Sequence, residues 1–303
     1  MSDFTLNILG CGSATPTPAH NPSSQVIDYR GNLFMIDCGE GAQCMMRRMR
    51  LQFSRLGHIF ISHLHGDHCL GLPGLLSTLA LHEKRGCVTV HLPAEGIGIM
   101  RSIADYFCRE TPFEIKFIPI KGAGGVIYES ASLTVEAFPL YHRVPCYGFV
   151  FREKPKQRHL RGDMVRFYNI PVSSLHGIKS GDDYITPDGT VIANARLTTP
   201  ADPSRSYAYC SDTAFDTRVA EAVRGVDVLY HEATYHSSMA AQARERGHST
   251  AAEAARIALL AGVKRLVIGH YSKRYTDVGV LVSDACANFN EVIPASEGLR
   301  IDI

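Results

Sequence analysis

No stretch of the 303-residue chain approaches the roughly 18 consecutive apolar residues that a membrane-spanning helix needs. The opening residues MSDFTLNILG carry neither a basic leader region nor a cleavage signal, so the expectation is a cytoplasmic protein with no membrane partner. No C-x-x-C pair occurs, and the nine cysteines are odd in number and scattered; they read as reduced, mostly buried small hydrophobes. An excess of charge of one sign is missing too. With 31 Lys and Arg against 30 Asp and Glu, no whole-molecule field points to nucleic acid, and any basic binding face is local. What the chain does have is length, enough for one large domain or two modest ones, and 14 histidines, several clustered beside aspartate.

Short β-branched runs bounded by Gly, Pro, Asn and Asp predict strands at 4–10, 24–29, 32–38, 58–62 and 88–93, then at 133–140, 146–153, 206–212, 226–233 and 265–271. Apolar residues at three- and four-residue spacing predict helices over 40–51 and 71–85, with others at 215–224 and 250–261. The last has a capping box in Thr250-Ala-Ala-Glu253 and a stop at Gly262. Two comparable halves of strands and helices suggest two sheets packed face to face with helices outside. Residues 152–200 break the pattern, being poor in periodic apolar positions and rich in Pro, Gly and charge. A structureless stretch of that length is usually functional or mobile.

The sharpest signal is Ser62-His63-Leu64-His65-Gly66-Asp67-His68, directly after a strand. Imidazole and carboxylate suit Zn²⁺ and related first-row metals, and H-x-H-x-D-H arises rarely by chance. Four donors could fill one tetrahedral site, but the adjacent Asp67 and His68 cannot easily face the same metal as His63 and His65. Two metals share them more naturally, and these need further ligands. His142, Asp212 and His270 each follow an apolar run, at the strand ends where sheet folds place their sites. Taken singly, each reads as an ordinary surface or core residue.

Motifs through the whole chain resemble the RNase Z family of the metallo-β-lactamase fold: LGCGSATPTPAHNPSS (9–24), DCGEGAQ (37–43), ISHLHGDHCLGLPGLL (61–76), His142, YCSDT (209–213), HEATY (231–235), GHST (247–250) and GHYSKRY (269–275). The resemblance implies an α+β fold, a four-layer αββα sandwich spanning 1–303, with an inserted tRNA-binding arm at 152–196. It implies two Zn²⁺ per subunit, one held by His63, His65, His142 and Asp212, the second by Asp67, His68, Asp212 and His270. Mn²⁺ or Fe²⁺ would accept the same donors. The implied activity is endonucleolytic removal of 3′ trailers from precursor tRNA, cutting after the discriminator nucleotide.

In that reading Asp67 takes the proton of the attacking water, His248 serves the leaving group and Glu232 holds the His248 ring. His248 sits just before a capped helix, where free N–H groups also favour a phosphate. His231 is open between a catalytic and a buried structural role. Ser272 and Arg274 are open too, between touching phosphate and, for Arg274, pairing with a carboxylate.

The arm begins with REKPKQRHLRGDMVR (152–166), where six basic residues, Lys154, Lys156, Arg158 and Arg161 among them, face two acids. A homodimer is implied, one subunit's arm serving the other's active site, with steep salt dependence and no DNA partner. A second basic run holds Arg47, Arg48, Arg50 and Arg55. The chain departs from the family at Ile170-Pro171-Val172-Ser173-Ser174-Leu175, where relatives usually have a Gly-Pro-containing run, and at His20, where an Arg is common. The alternatives are another dinuclear hydrolase, acting on thioesters, lactams or small phosphodiesters, and a non-catalytic RNA-binding or metal-storage protein.

Overall fold

The computed structural model describes residues 3–82 and 84–303, and the chain divides into two compact units. The larger comprises residues up to Tyr128, Val135–Phe151 and Ser206–Ile303; the smaller comprises Glu129–Thr134 and Arg152–Arg205.

In the larger unit, strands β1 (Phe4–Gly10), β2 (Ser24–Tyr29), β3 (Asn32–Cys38), β4 (Leu56–Phe60), β5 (Gly86–Pro93) and β6 (Phe113–Ile120) form one sheet. A second sheet is built from β7 (Gly125–Glu129), β8 (Leu133–Leu140), β9 (Cys146–Glu153), β10 (Ser206–Cys210), β11 (Val228–Glu232), β12 (Arg265–Gly269) and β13 (Val292–Pro294). The final strand, β14 (Arg300–Asp302), returns to pair antiparallel with β1. Among the described residues both sheets have seven strands, in the orders β14-β1-β2-β3-β4-β5-β6 and β13-β12-β11-β10-β9-β8-β7.

β3 to β6 run parallel, as do β10 to β13, so several strands of each sheet end at one edge. The inner faces meet through aromatic residues: the rings of Phe60 and Phe149 lie 5.6 Å apart, and Tyr209 Oη donates to Asp37 Oδ2 at 2.7 Å. Each fully buried Phe contributes about 1.5–3 kcal/mol of apolar burial, enough for such pairs to fix the sheets together. Outside the first sheet, Met45, Met46, Leu72, Leu75, Leu79 and Met100 of three helices pack on Leu33, Met35, Ile59 and Val90. On the second, helix Ala251–Ala261 buries a mostly alanine face, which brings it close to the sheet. The arrangement is the four-layer αββα sandwich.

Several predicted strands have the bounds expected; those placed at 88–93, 206–212 and 226–233 are Gly86–Pro93, Ser206–Cys210 and Val228–Glu232, and two others end early for local reasons. The strand placed at 58–62 is β4, Leu56–Phe60; its ladder stops because the Ser62 amide donates instead to Asp37 Oδ1 (2.7 Å). The run at 265–271 stops at Gly269 because His270 has φ +61 and turns the chain. Helix 71–85 ends at Leu81, and Glu83 lies outside the described residues. Helix Ala251–Ala261 has the full capping box, with Thr250 N donating to Glu253 Oε2 (2.8 Å) and Glu253 N to Thr250 Oγ1 (3.2 Å).

The smaller unit corrects one expectation. In place of a structureless stretch there are helices at Gly162–Phe167 and Val172–Ser180, a short hairpin at Tyr184–Ile185 and Val191–Ile192, and a core of Ile170, Ile178, Tyr184, Ile192 and Leu197. Its apolar residues are too few in any one element to show a period. They are shared among short elements that meet in one small cluster.

Candidate metal centre

The edge where parallel strands end carries the chemistry. His63, His65, Asp67 and His68 follow β4, His142 follows β8, Asp212 follows β10, Glu232 closes β11 and His270 follows β12. Single ligand atoms of His63, His65, His142 and Asp212 all lie within 4.8 Å of one another, and so do those of Asp67, His68 and His270. Asp212 stands between the groups. Its Oδ2 is 3.6 Å from His63 Nε2 and 3.9 Å from His142 Nε2, while its Oδ1 is 3.6 Å from His68 Nε2 and 3.2 Å from His270 Nε2.

Outer partners set which nitrogen of His63, His68, His142 and His270 faces inward. Gly247 O can only accept, so His142 donates to it from Nδ1 (2.7 Å) and turns an Nε2 lone pair inward. Ser62 Oγ gives its proton to the Asp37 carboxylate (2.9 Å) and therefore accepts from His63 Nδ1 (3.0 Å). Thr234 Oγ1 has only acceptors for its own proton, Glu232 Oε2 (2.7 Å) and His270 O (3.0 Å), and so accepts from His270 Nδ1 (2.9 Å). His68 Nδ1 donates to Asp37 Oδ2 at 2.7 Å.

The inner nitrogens crowd together, with His63 Nε2 3.0 Å from His65 Nδ1 and His68 Nε2 3.3 Å from His270 Nε2. Asp212 Oδ1 is buried and accepts no hydrogen bond. An unpartnered buried carboxylate oxygen is costly, and a cation among inward lone pairs is what the arrangement fits. The titration directions agree. Burial lowers the pKa of His63, His65 and His142, favouring the neutral, metal-binding ring. His68 departs from these three: burial would lower its pKa, but the carboxylates of Asp212, Asp37 and Asp67 outweigh burial and raise it, so the three acids around this ring call for a positive charge that a cation in the second donor set would supply. Asp67 is held low against burial by His68 and His270, and its Oδ2 accepts from Ala14 N at 2.6 Å.

Beside this cluster, His248 Nδ1 lies 2.9 Å from Glu232 Oε1 and 3.9 Å from Asp212 Oδ2. Glu232 is fully buried, and it also accepts from Thr213 N (3.0 Å) and Thr234 N (3.1 Å). Burial disfavours the charge on both groups, but their mutual attraction prevails: the His248 pKa is raised and that of Glu232 lowered. His231 is buried, its Nδ1 donates to Glu232 O (2.7 Å), and it belongs to neither donor set.

Arg274 pairs with no carboxylate among the described residues; it donates to Ser272 Oγ (3.0 Å) and lies over the Tyr235 ring at 4.8 Å. The basic residues of the smaller unit are largely engaged within it. Lys154 pairs with Glu129 (2.5 Å), Lys156 with Glu153 (2.8 Å) and Arg161 with Asp163 (3.3 Å), while Arg158 donates to Thr198 Oγ1 (2.7 Å).

Sequence reasoning assigned no role to Asp37, Ser62, Thr234 or Gly247. Asp37 had a signal, an acid closing the apolar run NLFMIDC. Gly247 had only its place before His248 in GHST; in the structure its φ is +72 and a Cβ there would stand 2.8 Å from His142 Nδ1, so only glycine leaves the ring in place.

A family model described as a Beta-lactamase superfamily domain matches residues 165–271, and one described as Anti-Pycsar protein Apyc1 matches residues 4–97. Among solved structures, human tRNase Z, short form, is similar over 99% of both chains at 24% identity and TM-score 0.71. A metallo-beta-lactamase fold protein from Bacillus subtilis is similar over 98% of both chains at 16% identity and TM-score 0.69. Proteins named Ribonuclease Z from Parabacteroides distasonis and Bacteroides fragilis are 52% and 51% identical over the full length of both chains. With that identity maintained from end to end, the chain belongs to the ribonuclease Z family of metallo-β-lactamase-fold hydrolases.

Proposed function

We propose that this chain removes 3′ trailers from precursor tRNA, hydrolysing the phosphodiester after the discriminator nucleotide and leaving a 3′-hydroxyl on the tRNA. The observation that carries the reading is the His248–Glu232 pair, 2.9 Å apart and beside the carboxylate that two donor sets share. Full-length likeness to ribonucleases Z supports it.

His63, His65, His142 and Asp212 would hold one Zn²⁺, and Asp67, His68, Asp212 and His270 another, with Mn²⁺ or Fe²⁺ accepted by the same donors. Such a pair supplies Lewis acidity at a phosphoryl oxygen and makes water acidic enough to attack near neutral pH. Asp67, kept ionised and aimed by Ala14 N, accepts a proton from the attacking water. As the bond from phosphorus to the discriminator O3′ breaks, protonated His248 gives its proton to that oxygen, and the trailer leaves with a 5′-phosphate. Glu232 keeps the imidazole charged and oriented until then. Ser272 and Arg274 bind the flanking phosphate.

The smaller unit grips tRNA through Lys154, Lys156, Arg158 and Arg161, exchanging their internal partners for backbone phosphates. The active form is a homodimer in the cytoplasm; among the described residues no helix is long and apolar enough to cross a membrane. The test is to incubate one purified 3′-extended tRNA and a small phosphodiester with the protein and map the 3′ end of the tRNA product. Cleavage after the discriminator with a 3′-hydroxyl is expected. Hydrolysis of the small ester alone would defeat the tRNA reading.

A further inference from the structure

A second set of metal-binding side chains stands outside the site described above. Cys11 follows β1, His20 lies in the loop before β2, and Glu297 lies in the turn after β13. Cys11 Sγ is 3.4 Å from His20 Nδ1 and 3.7 Å from Glu297 Oε1, and His20 Nδ1 is 3.1 Å from Glu297 Oε2. We infer that Cys11, His20 and Glu297 form a separate three-ligand site for a borderline divalent cation, Zn²⁺ foremost, that clamps the loop 11–21 to the 295–298 turn.

The distances carry this. A tetrahedral zinc, about 2.3 Å from sulfur and about 2.0–2.2 Å from nitrogen and oxygen, needs its donors about 3.4–3.6 Å apart. The Cys11–His20 and His20–Glu297 separations are within a few tenths of an ångström of that, and one ligand atom from each of the three residues lies within 4.8 Å of the other two, close enough for a cation to draw them together. The carboxylate is held ready: Glu297 Oε1 accepts from Asn21 N (2.9 Å) and Cys11 N (3.4 Å). Preorganised outer bonds of that kind are typical of ligating carboxylates. The Cys11 thiol is buried, but the His20 and Glu297 side chains are 21% and 16% exposed, which leaves a way in and room for water as the fourth ligand. Thiolate, imidazole and carboxylate together select zinc over magnesium or calcium.

Binding is a proton exchange. The thiol proton of Cys11 goes to solvent, and His20 carries its ring proton on Nε2 so that Nδ1 offers its lone pair. The site differs from the first in kind, because no cysteine belongs to either donor set around Asp212. It also bears on the first at one remove: Ala14, whose amide holds Asp67, lies in the clamped loop.

The test uses cobalt as the probe on metal-free full-length protein. Only a thiolate ligand gives an intense near-ultraviolet sulfur-to-cobalt charge-transfer band, and the histidine and aspartate sets give none. The wild type is expected to develop that band and to hold one equivalent of metal more than Cys11→Ser, in which the band is lost. His20→Gln retains the thiol as a second variant; its cobalt affinity at this site should fall at least about tenfold. A wild type without the band at saturating cobalt, or a band undiminished in Cys11→Ser, would overturn the inference and leave the triad a set of hydrogen bonds. Cleavage of precursor tRNA is measured in parallel, so that failure here is distinguishable from failure of the hydrolytic reading.

Discussion

Replacing Glu232 by Gln tests the link between the buried ion pair and the reaction. The carboxylate sits 2.9 Å from His248 Nδ1, with charge centres about 4 Å apart, where a unit pair is worth about 4 kcal/mol at an effective dielectric near 20. Asp212 remains nearby after the substitution and retains part of the attraction, so the change is smaller than the full figure. An opposite charge at this range typically moves a pKa by about 1–3 units, each worth about 1.4 kcal/mol.

The sign follows from which form acts. His248 must be protonated to donate, and Glu232 raises its pKa, so activity is retained as pH rises and is lost only above that raised value. With Glu232 gone, burial pulls the ring down unopposed by that charge, and the alkaline limb of kcat/KM should move about 1–3 units toward acid. At a pH between the old and new limbs the rate falls about tenfold per unit. The assay is the pH profile of precursor cleavage for Glu232→Gln beside the wild type, with thermal unfolding to confirm the fold. A uniform loss at every pH with the alkaline limb unmoved would refute the acid role of His248 and reduce Glu232 to a tether for Thr213 and Thr234.

Asp67→Ala should abolish hydrolysis while tRNA binding, followed by gel shift, stays within about threefold, because its side chain sits in the cluster and not on the phosphate-binding surface. Gly247→Ala should lower bound metal and activity together, since the new Cβ at 2.8 Å displaces His142 Nδ1 and the backbone has φ +72; unchanged metal content by elemental analysis would contradict this. Alanine at Lys154, Lys156, Arg158 and Arg161 should flatten the salt dependence of tRNA binding by about 0.7–0.9 in log–log slope for each phosphate no longer neutralised, and spare small-ester hydrolysis; equal loss of both would show a structural role. Glu153 lies 2.9 Å from Arg205 and 2.8 Å from Lys156, and against burial these hold its pKa down from 4.5 to about 2. Its contribution to the smaller unit is therefore full above pH 4.5 and is lost as pH falls toward 2. Hydrogen exchange over 152–205 should show acid loosening in that window in the wild type, and little pH dependence there in Glu153→Gln.

What the sequence made legible, and what it did not, divides along physical lines. Strands 4–10, 24–29, 32–38, 133–140 and 146–153 have the bounds their β-branched runs announce, because each packs inside a sheet and is bounded by turn residues. The residues gathered around Asp212 were visible for a related reason. Parallel strands end at one edge, so a polar donor just past an apolar run is delivered there whatever its distance along the chain, as Asp212 and His270 are. Helix Ile97–Phe107 and strands β6 and β7 went unassigned; apolar residues such as Ile99, Tyr106, Phe107, Ile118 and Val126 are exposed there, so the apolar pattern does not mark the buried face alone.

The supporting shell was hidden for a different reason. Asp37, Ser62 and Thr234 act by hydrogen-bond direction, and direction is a property of three-dimensional neighbours that no spacing encodes. Thr234 could be read from HEAT as a polar residue, but its use in fixing His270 requires knowing that its proton has only acceptors to go to. The basic run at 152–166 shows the same limit in reverse. Counted along the chain it is strongly positive, yet Glu129, drawn from outside the run, and Glu153 and Asp163, drawn from within it, pair with Lys154, Lys156 and Arg161. A polyanion must therefore compete with existing carboxylate partners for those cations. That competition makes the salt slope of the alanine variants, and not the bare number of lysines and arginines, the measure of how many phosphates the unit touches.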